Sequence, residues 1–510
     1  MLILEMMVEA GKILAVFPLA ATSHQIMFHP ILQELAGRGH NVTLITASPD
    51  LTATYRQIIV ANGYKKNREN INFFDLKKNH RFKNFFTIAN MGEEVEHATL
   101  SDPVVQRLIH STDDGFDVVL VEGTFGQEAF VVFGHKFNAP VIEVATMSSS
   151  VWLNSLMGNP NPFSYIVDFR TKSTDRMTFM ERFTNTIEGV GALIIHNFFL
   201  IPTQELIANT YFNYSGYKTR PQLISLLANI SLAILNTHVS LHFPHPSLPN
   251  LIQVAGLHLQ PPKRLPQAVA SFLDSASSGA VYFSLGSNVK ASMMPVHIRD
   301  TFIEVFNNIK FKVLWKWDGD PFPESTSRIK TFKWLPQPDV LAHPNVKVFI
   351  SHGGFLSIIE SVHHGVPMII IPLFSDQWKN SRQAEAAGFG LTLDFDNITR
   401  TSLIWAVNEV ITNKQYGEAA RKSSKILQDN PMKPLETAVY WIEYVISHKS
   451  DLQYMRSAAL VLSWYEYFLI DVAVVLIIGL GISLYLLYKT LHLTYICMQS
   501  LNLNGIFQTN

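Results

Sequence analysis

Cysteine is almost absent: Cys497 is the only one in 510 residues. A single thiol excludes an intrachain disulfide framework, a Cys-based zinc site and an iron–sulfur cluster. Charge is scarce as well. Asp, Glu, Lys and Arg make up 16% of the chain, against about 25% in an ordinary globular protein. What charge there is balances, 40 basic residues against 41 acidic for a formal net charge of −1, and this argues against nucleic acid as a global partner. There is no low-complexity segment and no short-period repeat. Aromatic residues at 11% exclude bulk disorder. At about 100–200 residues per domain the length corresponds to roughly two to four domains.

Part of the missing charge has a location. Phe468–Tyr488 reads FLIDVAVVLIIGLGISLYLLY, broken only by Asp471 near its start. About 20 apolar residues at 1.5 Å each match a hydrocarbon core of about 30 Å. Trp464, Tyr465 and Tyr467 before the run, and Tyr485, Tyr488 and Lys489 at its end, suit the membrane interfaces. The expectation is one C-terminal transmembrane helix over 468–488, followed by a short tail over 489–510. At the other end, MLILEMMVEAGK lacks the basic start of a secretory signal and is broken by Glu5 and Glu9. The run Ile13–Ala21 reads instead as a first core strand. A start further upstream is the favoured reading, and targeting by the C-terminal span is the alternative.

Between these ends the pattern alternates strands and helices. Lys12–Phe17, a helix over Gln25–Arg38 and Asn41–Thr46 give a βαβ opening. Phe116–Val121 and Pro140–Ala145 read as further parallel strands. Residues 150–235 are less regular, with an aromatic-rich helical stretch at Phe179–Phe183. The proline-rich stretch Phe243–Pro266 has linker composition. A second series follows, with strands at Ala280–Leu285, Lys312–Trp317, Val346–Ile350 and Pro367–Ile371 and a helix over 355–364. The expected organisation is an α/β N-terminal domain over 1–245, a linker over 246–266 and a C-terminal domain over 267–450. The last helix of the C-terminal domain can pack back on the N-terminal lobe. A cleft between the lobes would hold the ligand.

The densest chemical signal is Trp334–Gln377, WLPQPDVLAHPNVKVFISHGGFLSIIESVHHGVPMIIIPLFSDQ. Its centre is strand, Ser351-His352-Gly353-Gly354, then helix. Two glycines at a helix N-terminus let backbone N–H groups approach an anion that the helix dipole also favours. Glu360 lies six residues on, about 9 Å along the helix at 1.5 Å per residue, which suits a carboxylate holding the paired hydroxyls of a ribose. Gly286–Ser287 offers a second phosphate-approach turn. Trp334 and Gln337 could stack on and pair with a planar base. Asp376 and Gln377 stand at a strand's carboxyl end, where α/β proteins bind ligands.

This 44-residue stretch resembles the signature of the membrane UDP-glycosyltransferases, the family that includes the UDP-glucuronosyltransferases. FSLGSN (283–288), VAGLH (254–258), SHQIMFHP (23–30), RGHNVTLIT (38–46) and WYEYFLIDV (464–472) resemble family segments too. The resemblance implies a GT-B fold, two facing Rossmann-like domains with an interlobe cleft, plus the C-terminal transmembrane helix. It implies Trp334 and Gln337 at uracil and Glu360 at ribose. Ser287, His352 and Gly353 would meet the diphosphate and Asp376 and Gln377 the donor sugar, with Gly354 and Ser357 also among the UDP-sugar-binding residues. Leu356 departs from the pattern, standing where many vertebrate members carry an Asn. That departure leans the donor toward glucose.

In the N-terminal domain, His24 is expected in the loop after the first strand, with an unperturbed pKa of about 6.5 suited to taking a proton from a hydroxyl. A carboxylate behind it would fix its tautomer. Glu122, at the end of strand 116–121, is the candidate. Asp117 is at the wrong end of that strand and Glu143 lies inside another. The family usually has Asp at the position of Glu122, so the longer side chain either keeps or weakens the dyad.

The implied reaction is inverting transfer of a hexose from UDP-glucose or UDP-glucuronate to a hydroxyl of a small lipophilic acceptor, with no metal and no cofactor besides the co-substrate. Membrane lipid is a further partner, nucleic acid is not, and homo-oligomer formation stays open. The implied location is the endoplasmic reticulum membrane, single-pass, with the globular part lumenal. There the sequons at Asn213, Asn229 and Asn397 would be usable, and Asn41, in a strand, would be silent. Two alternatives stand beside this reading: a catalytically impaired member acting as a binding protein, and a UDP-sugar epimerase or hydrolase on the same fold.

Overall fold

A computed structural model describes residues 9–63, 71–76, 81–123, 125–320, 327–449 and 452–506. One compact unit ends at Arg456, and residues from Ser457 onward form a second.

In the first unit, short apolar runs build two all-parallel sheets. The first sheet contains β1 (Lys12–Val16), β2 (Asn41–Thr46), β3 (Arg56–Ile59), β4 (Val118–Val121), β5 (Val141–Ala145), β6 (Leu232–Leu235) and β7 (Leu251–Gln253), in the order β3-β2-β1-β4-β5-β6-β7. The second contains β8 (Ala280–Ser284), β9 (Lys312–Lys316), β10 (Ile329–Phe332), β11 (Val346–Ser351), β12 (Met368–Ile370) and β13 (Gly390–Thr392), in the order β10-β9-β8-β11-β12-β13. Helices cover both faces of such sheets, so their strands read as unbroken apolar runs. Val118–Val121 and Met368–Ile370 are buried at every position. In the second lobe Phe283, Phe302, Phe306 and Trp315 are packed ring against ring and fully buried.

Both strand orders reverse direction beside their first strand, between β1 and β4 and between β8 and β11. A doubly wound sheet opens a crevice at that point, at the carboxyl ends of the strands. The fold therefore provides two facing places for chemistry before any side chain is considered.

Several elements differ from the sequence reading. The proline-rich stretch read as linker contains β7, paired with β6 through Ala233–Leu251 and Ile234–Ile252, so the connection to the second sheet follows Gln253. Its three apolar residues are too short a run to stand out among prolines. Helix Pro434–His448 returns to the first lobe. Its Ala438, Val439, Ile442 and Val445 are buried in one core with Ile13, Leu32 and Leu35, and its Glu443 accepts from Arg38 Nη1 at 3.1 Å.

The region 150–235 is more regular than its composition implies. Helix Phe179–Ile195, capped by a Thr178–Glu181 box, continues through a π-helical turn at His196–Leu200 into helix Ile201–Tyr211. Phe179, Phe183, Ile187, Val190, Ile194 and Phe198 form an exposed apolar stripe at i, i+3/i+4 spacing.

In the second unit, a short helix Trp464–Tyr467 ends at Leu469, whose φ is 54°. Helix Ile470–Ile506 then runs for 37 residues. It passes well beyond Tyr488, where the span was expected to end, because no proline interrupts the residues that follow. Ile470–Ser500 is long and apolar enough to cross a membrane.

Candidate active site

In the first lobe the site begins at the β1/β4 crevice. His24 lies in the first turn of helix Thr22–Gly37, where a loop was expected. The helix starts early because His24 N and Gln25 N both donate to Ala21 O, at 2.9 and 3.1 Å. Gln25 Nε2 also donates to Phe17 O and Leu19 O at 3.1 and 2.8 Å, fixing the chain between β1 and the helix. Glu122, the first residue past β4, is 2% exposed. His24 Nδ1 donates to Glu122 Oε2 at 2.8 Å, and Thr146 Oγ1 donates to Glu122 Oε1 at 3.0 Å. A carboxylate only accepts, so the hydrogen is assigned to Nδ1 and the lone pair to Nε2. The other carboxylates near these strands are occupied elsewhere. Asp117 accepts from Lys12 N at 2.7 Å and pairs with Lys449 at the surface, while Glu143 accepts from Gly123 N at 2.9 Å.

In the second lobe the β8/β11 crevice carries the two glycine turns. Gly286 has φ 76° and Gly353 φ 86°, a region that disfavours any Cβ. A Cβ on Gly286 would sit 2.6 Å from His352 Cε1, and one on Gly354 2.6 Å from His352 Nε2. The imidazole of His352 is wedged between the two turns. Burial, and then the Lys316 charge, lower its pKa to about 4, so near neutrality it is an uncharged hydrogen-bonding group. Helix Phe355–His363 starts at once after Gly354 with no side chain capping its N-terminus, leaving its first N–H groups for an anion. His363 and His364 lie at the far end of this helix, where a charged imidazole would suit the dipole. Burial instead lowers both their pKa values, that of His364 to about 4, and a neutral ring draws little from a dipole.

Gln337, Ser357 and Glu360 form one network. Gln337 Nε2 donates to Glu360 Oε2 at 2.6 Å and to Ser357 Oγ at 3.1 Å. Tyr282 OH donates to Gln337 Oε1 at 3.1 Å, and His258 Nε2 lies 3.1 Å from Glu360 Oε1. Trp334 is 57% exposed, and Lys316 Nζ lies 5.1 Å from its ring centroid. Asp376 occupies the N-cap position of helix Gln377–Ala386, and burial raises its carboxyl pKa. Asn380 Nδ2 donates both to Asp376 Oδ2 at 2.7 Å and to Gly353 O at 3.0 Å, linking Asp376 to the glycine turn. Gln377 Oε1 accepts from Leu373 N and Phe374 N at 2.8 and 3.1 Å, so its –NH2 is the end left for a ligand.

One cleft of about 380 Å³ between the lobes joins these groups. His24, Phe125 and Thr146 line one side; Ser287, Trp334, Gln337, His352, Gly354, Ser357, Glu360, Asp376 and Gln377 line the other. Glu122 and Gly353 stand behind this lining. Lys316 and His258 also line the cleft; Lys316 sits in no motif, and the VAGLH segment that ends at His258 carries no ligand role in the sequence reading. Among the described residues no group of three His, Cys, Asp or Glu side chains could hold a metal ion.

Comparison with known proteins bears on the family and the fold. Residues 11–503 match the family described as "UDP-glucoronosyl and UDP-glucosyl transferase". "UDP-glycosyltransferase UGT5" of Dactylopius coccus is 37% identical, over 95% of this chain and 93% of that protein. "UDP-glucosyltransferase 2" of the same insect is 32% identical, over 92% and 90%. A solved UDP-glucose: anthocyanidin 3-O-glucosyltransferase in complex with UDP superposes with a TM-score of 0.54 at 17% identity, over 85% of this chain and 98% of that one. The structural likeness shows the GT-B fold.

Proposed function

The chain belongs to the UDP-glucuronosyl and UDP-glucosyl transferase family, and on that premise we propose that it moves a hexose from a UDP-sugar to a hydroxyl of a small lipophilic acceptor, with inversion and with His24 as general base. The observation that carries this reading is the 2.8 Å bond from His24 Nδ1 to buried Glu122, directly across the cleft from the glycine turns and helix start at His352–Phe355.

In the proposed reaction UDP lies against the second lobe, its uracil on Trp334 and its ribose hydroxyls on Glu360. The diphosphate meets Ser287, the Gly353–Gly354 turn and the open helix start. Asp376 and Gln377 hold the sugar. The acceptor oxygen attacks the anomeric carbon from the first lobe while His24 Nε2 takes its proton. The bond to the diphosphate oxygen breaks on the opposite side, which inverts the carbon. Glu122 stabilises the imidazolium. The charge growing on the leaving phosphate is met by backbone N–H groups, neutral His352 and Lys316, donors already in place before the reaction.

Glucose is the favoured donor. Leu356 puts an apolar side chain on the cleft wall, and the insect relative above is named a glucosyltransferase. The dyad geometry also speaks against an impaired binding protein, since the longer Glu122 spans to His24 at full hydrogen-bond length. Membrane attachment follows from helix Ile470–Ser500, and the exposed stripe from Phe179 to Phe198 adds a second apolar surface. We assign the body to the lumen of the endoplasmic reticulum. The deciding experiment incubates microsomes bearing the full chain with a panel of phenols and either UDP-glucose or UDP-glucuronate. Transfer is expected with UDP-glucose and lost in His24→Ala; full transfer by that variant would overturn the base assignment.

A further inference from the structure

Phe125 separates the cleft from a smaller cavity. Its ring centroid lies 5.0 Å from that of His24, and it lines both spaces, as do Ile88 and Met147. The smaller cavity measures about 30 Å³, room for roughly two water-sized groups at about 10–15 Å³ each. Its walls are mostly apolar, with Trp152, Phe169 and Leu200 among them; Glu128, His196 and Ser375 are the polar side chains of its lining.

Glu128 and His196 are 3% and 1% exposed. His196 Nε2 lies 3.4 Å from Glu128 Oε1, yet among the described residues neither His196 Nε2 nor Glu128 Oε2 has a hydrogen-bond partner. A buried polar atom left in this way costs on the order of 1–3 kcal/mol, and in native proteins it calls for a ligand or an ordered water. His196 is also held in position. Its ring stacks on Trp152 at 5.9 Å with 19° between planes, and it opens the π-helical turn His196–Leu200, a distortion that recurs at functional sites.

We propose that Glu128 and His196 form a distal polar subsite that binds a second hydroxyl of the acceptor, remote from the hydroxyl that receives the sugar. The proposal rests on the transferase reading above and narrows its acceptor class to lipophilic molecules with hydroxyls at both ends. The Glu128 carboxylate accepts the hydroxyl hydrogen and His196 bonds the oxygen, while the carbon frame stays in the larger cleft beside Phe125. A carboxylate at that end of the acceptor is excluded. Glu96 lies close by, its carboxyl pushed well above the usual range by burial and then by the Glu128 charge, and a further anion has no place there.

The test uses the full-length protein in microsomes, with a rigid two-ring diphenol and its matched monophenol lacking the distal hydroxyl. With UDP-glucose or UDP-glucuronate, the wild type is expected to favour the diphenol in kcat/KM by about 10–100-fold, the range for a hydrogen bond to a charged group. In Glu128→Gln and in His196→Phe that ratio is expected to fall toward one. Binding of the same pair to the purified protein with UDP present is measured by calorimetry, and the same ratio in Kd is expected. A wild-type ratio near one, or a ratio unchanged in both variants, would overturn the subsite. Absence of transfer to either phenol with diphenol-selective binding intact would count against the transferase reading alone. UDP affinity reports on folding, because neither residue lines the nucleotide side.

Discussion

His24 and Glu122 are 98 residues apart in sequence, yet His24 Nδ1 donates to Glu122 Oε2 at 2.8 Å. The pairing follows from strand order: β1 and β4 are neighbours, each side chain follows one of them, and the strand order reverses between them. Thr146, after β5, adds a second bond to the carboxylate.

Removing the proposed base should therefore cost more than removing a contact. His24→Ala is expected to lower kcat by about 10²–10⁴-fold, the range for a positioned acid or base. Glu122→Gln releases the tautomer while keeping the volume, and a loss within the same range is expected. Initial rates at saturating UDP-sugar measure both. Rates equal to wild type for Glu122→Gln would remove the carboxylate from the mechanism.

The sequence made this much legible because parallel strands buried on two faces are short apolar runs, and because the glycine turns sit inside a contiguous motif. The rest depended on contacts between distant segments. Lys316 is one lysine at the end of β9, and only the approach of Trp334 and Gly286 O, the latter accepting from its Nζ at 2.6 Å, brings it to the cleft. Gln337 and Glu360 are each expected at a ligand from the motif, but their hydrogen bond to one another is not readable from it. β7 was hidden by prolines around it. The helical region 179–211 was obscured because its exposed apolar face blurs the usual contrast between buried and solvent-facing positions.

Gly286→Ala tests the wedge around His352. The new Cβ would lie 2.6 Å from the imidazole at a residue with φ 76°. The ring must move or the turn must change. A loss of about 1–3 kcal/mol in stability is expected, together with weaker UDP binding. Thermal unfolding with and without UDP separates the two effects.

His352 also gives the protein an acid-sensitive element. Its folded pKa, about 4, lies below the unfolded value of 6.5 because burial and Lys316 oppose the charged form. Between those values the unfolded chain binds the proton and the folded one does not. The stabilising contribution is therefore whole above pH 6.5 and is lost as pH falls toward 4, by roughly 3 kcal/mol for a shift of this size. Unfolding midpoints of wild type and His352→Gln should converge on acidification. A constant difference from pH 7 to pH 4 would contradict the neutral, buried assignment.

Trp334 exposes a face that a planar base can cover. Stacking of a base on an aromatic ring is worth about 1–3 kcal/mol by alanine substitution. Trp334→Ala is expected to raise KM for the UDP-sugar by roughly 10–100-fold, with a smaller change in kcat, since the ring would bind donor and transition state alike. A fall in kcat at constant KM would place the ring elsewhere.

The lumenal assignment is open to a direct chemical readout. Asn213 and Asn397 begin sequons and are exposed. Asn229 is exposed too, but its Oδ1 accepts from Arg456 Nη1 at 2.5 Å, a bond that a glycan on the amide would crowd. A body made in the endoplasmic reticulum lumen should carry glycan at Asn213 and Asn397. Endoglycosidase treatment should then shift the full-length band in gels, and Asn213→Gln and Asn397→Gln should each remove one step of that shift. Glycan at Asn229 would imply that the Arg456 contact forms only after modification or is displaced by it. A band that no endoglycosidase shifts, from a chain that remains in the membrane pellet, would place the catalytic body on the cytosolic side of the helix from Ile470.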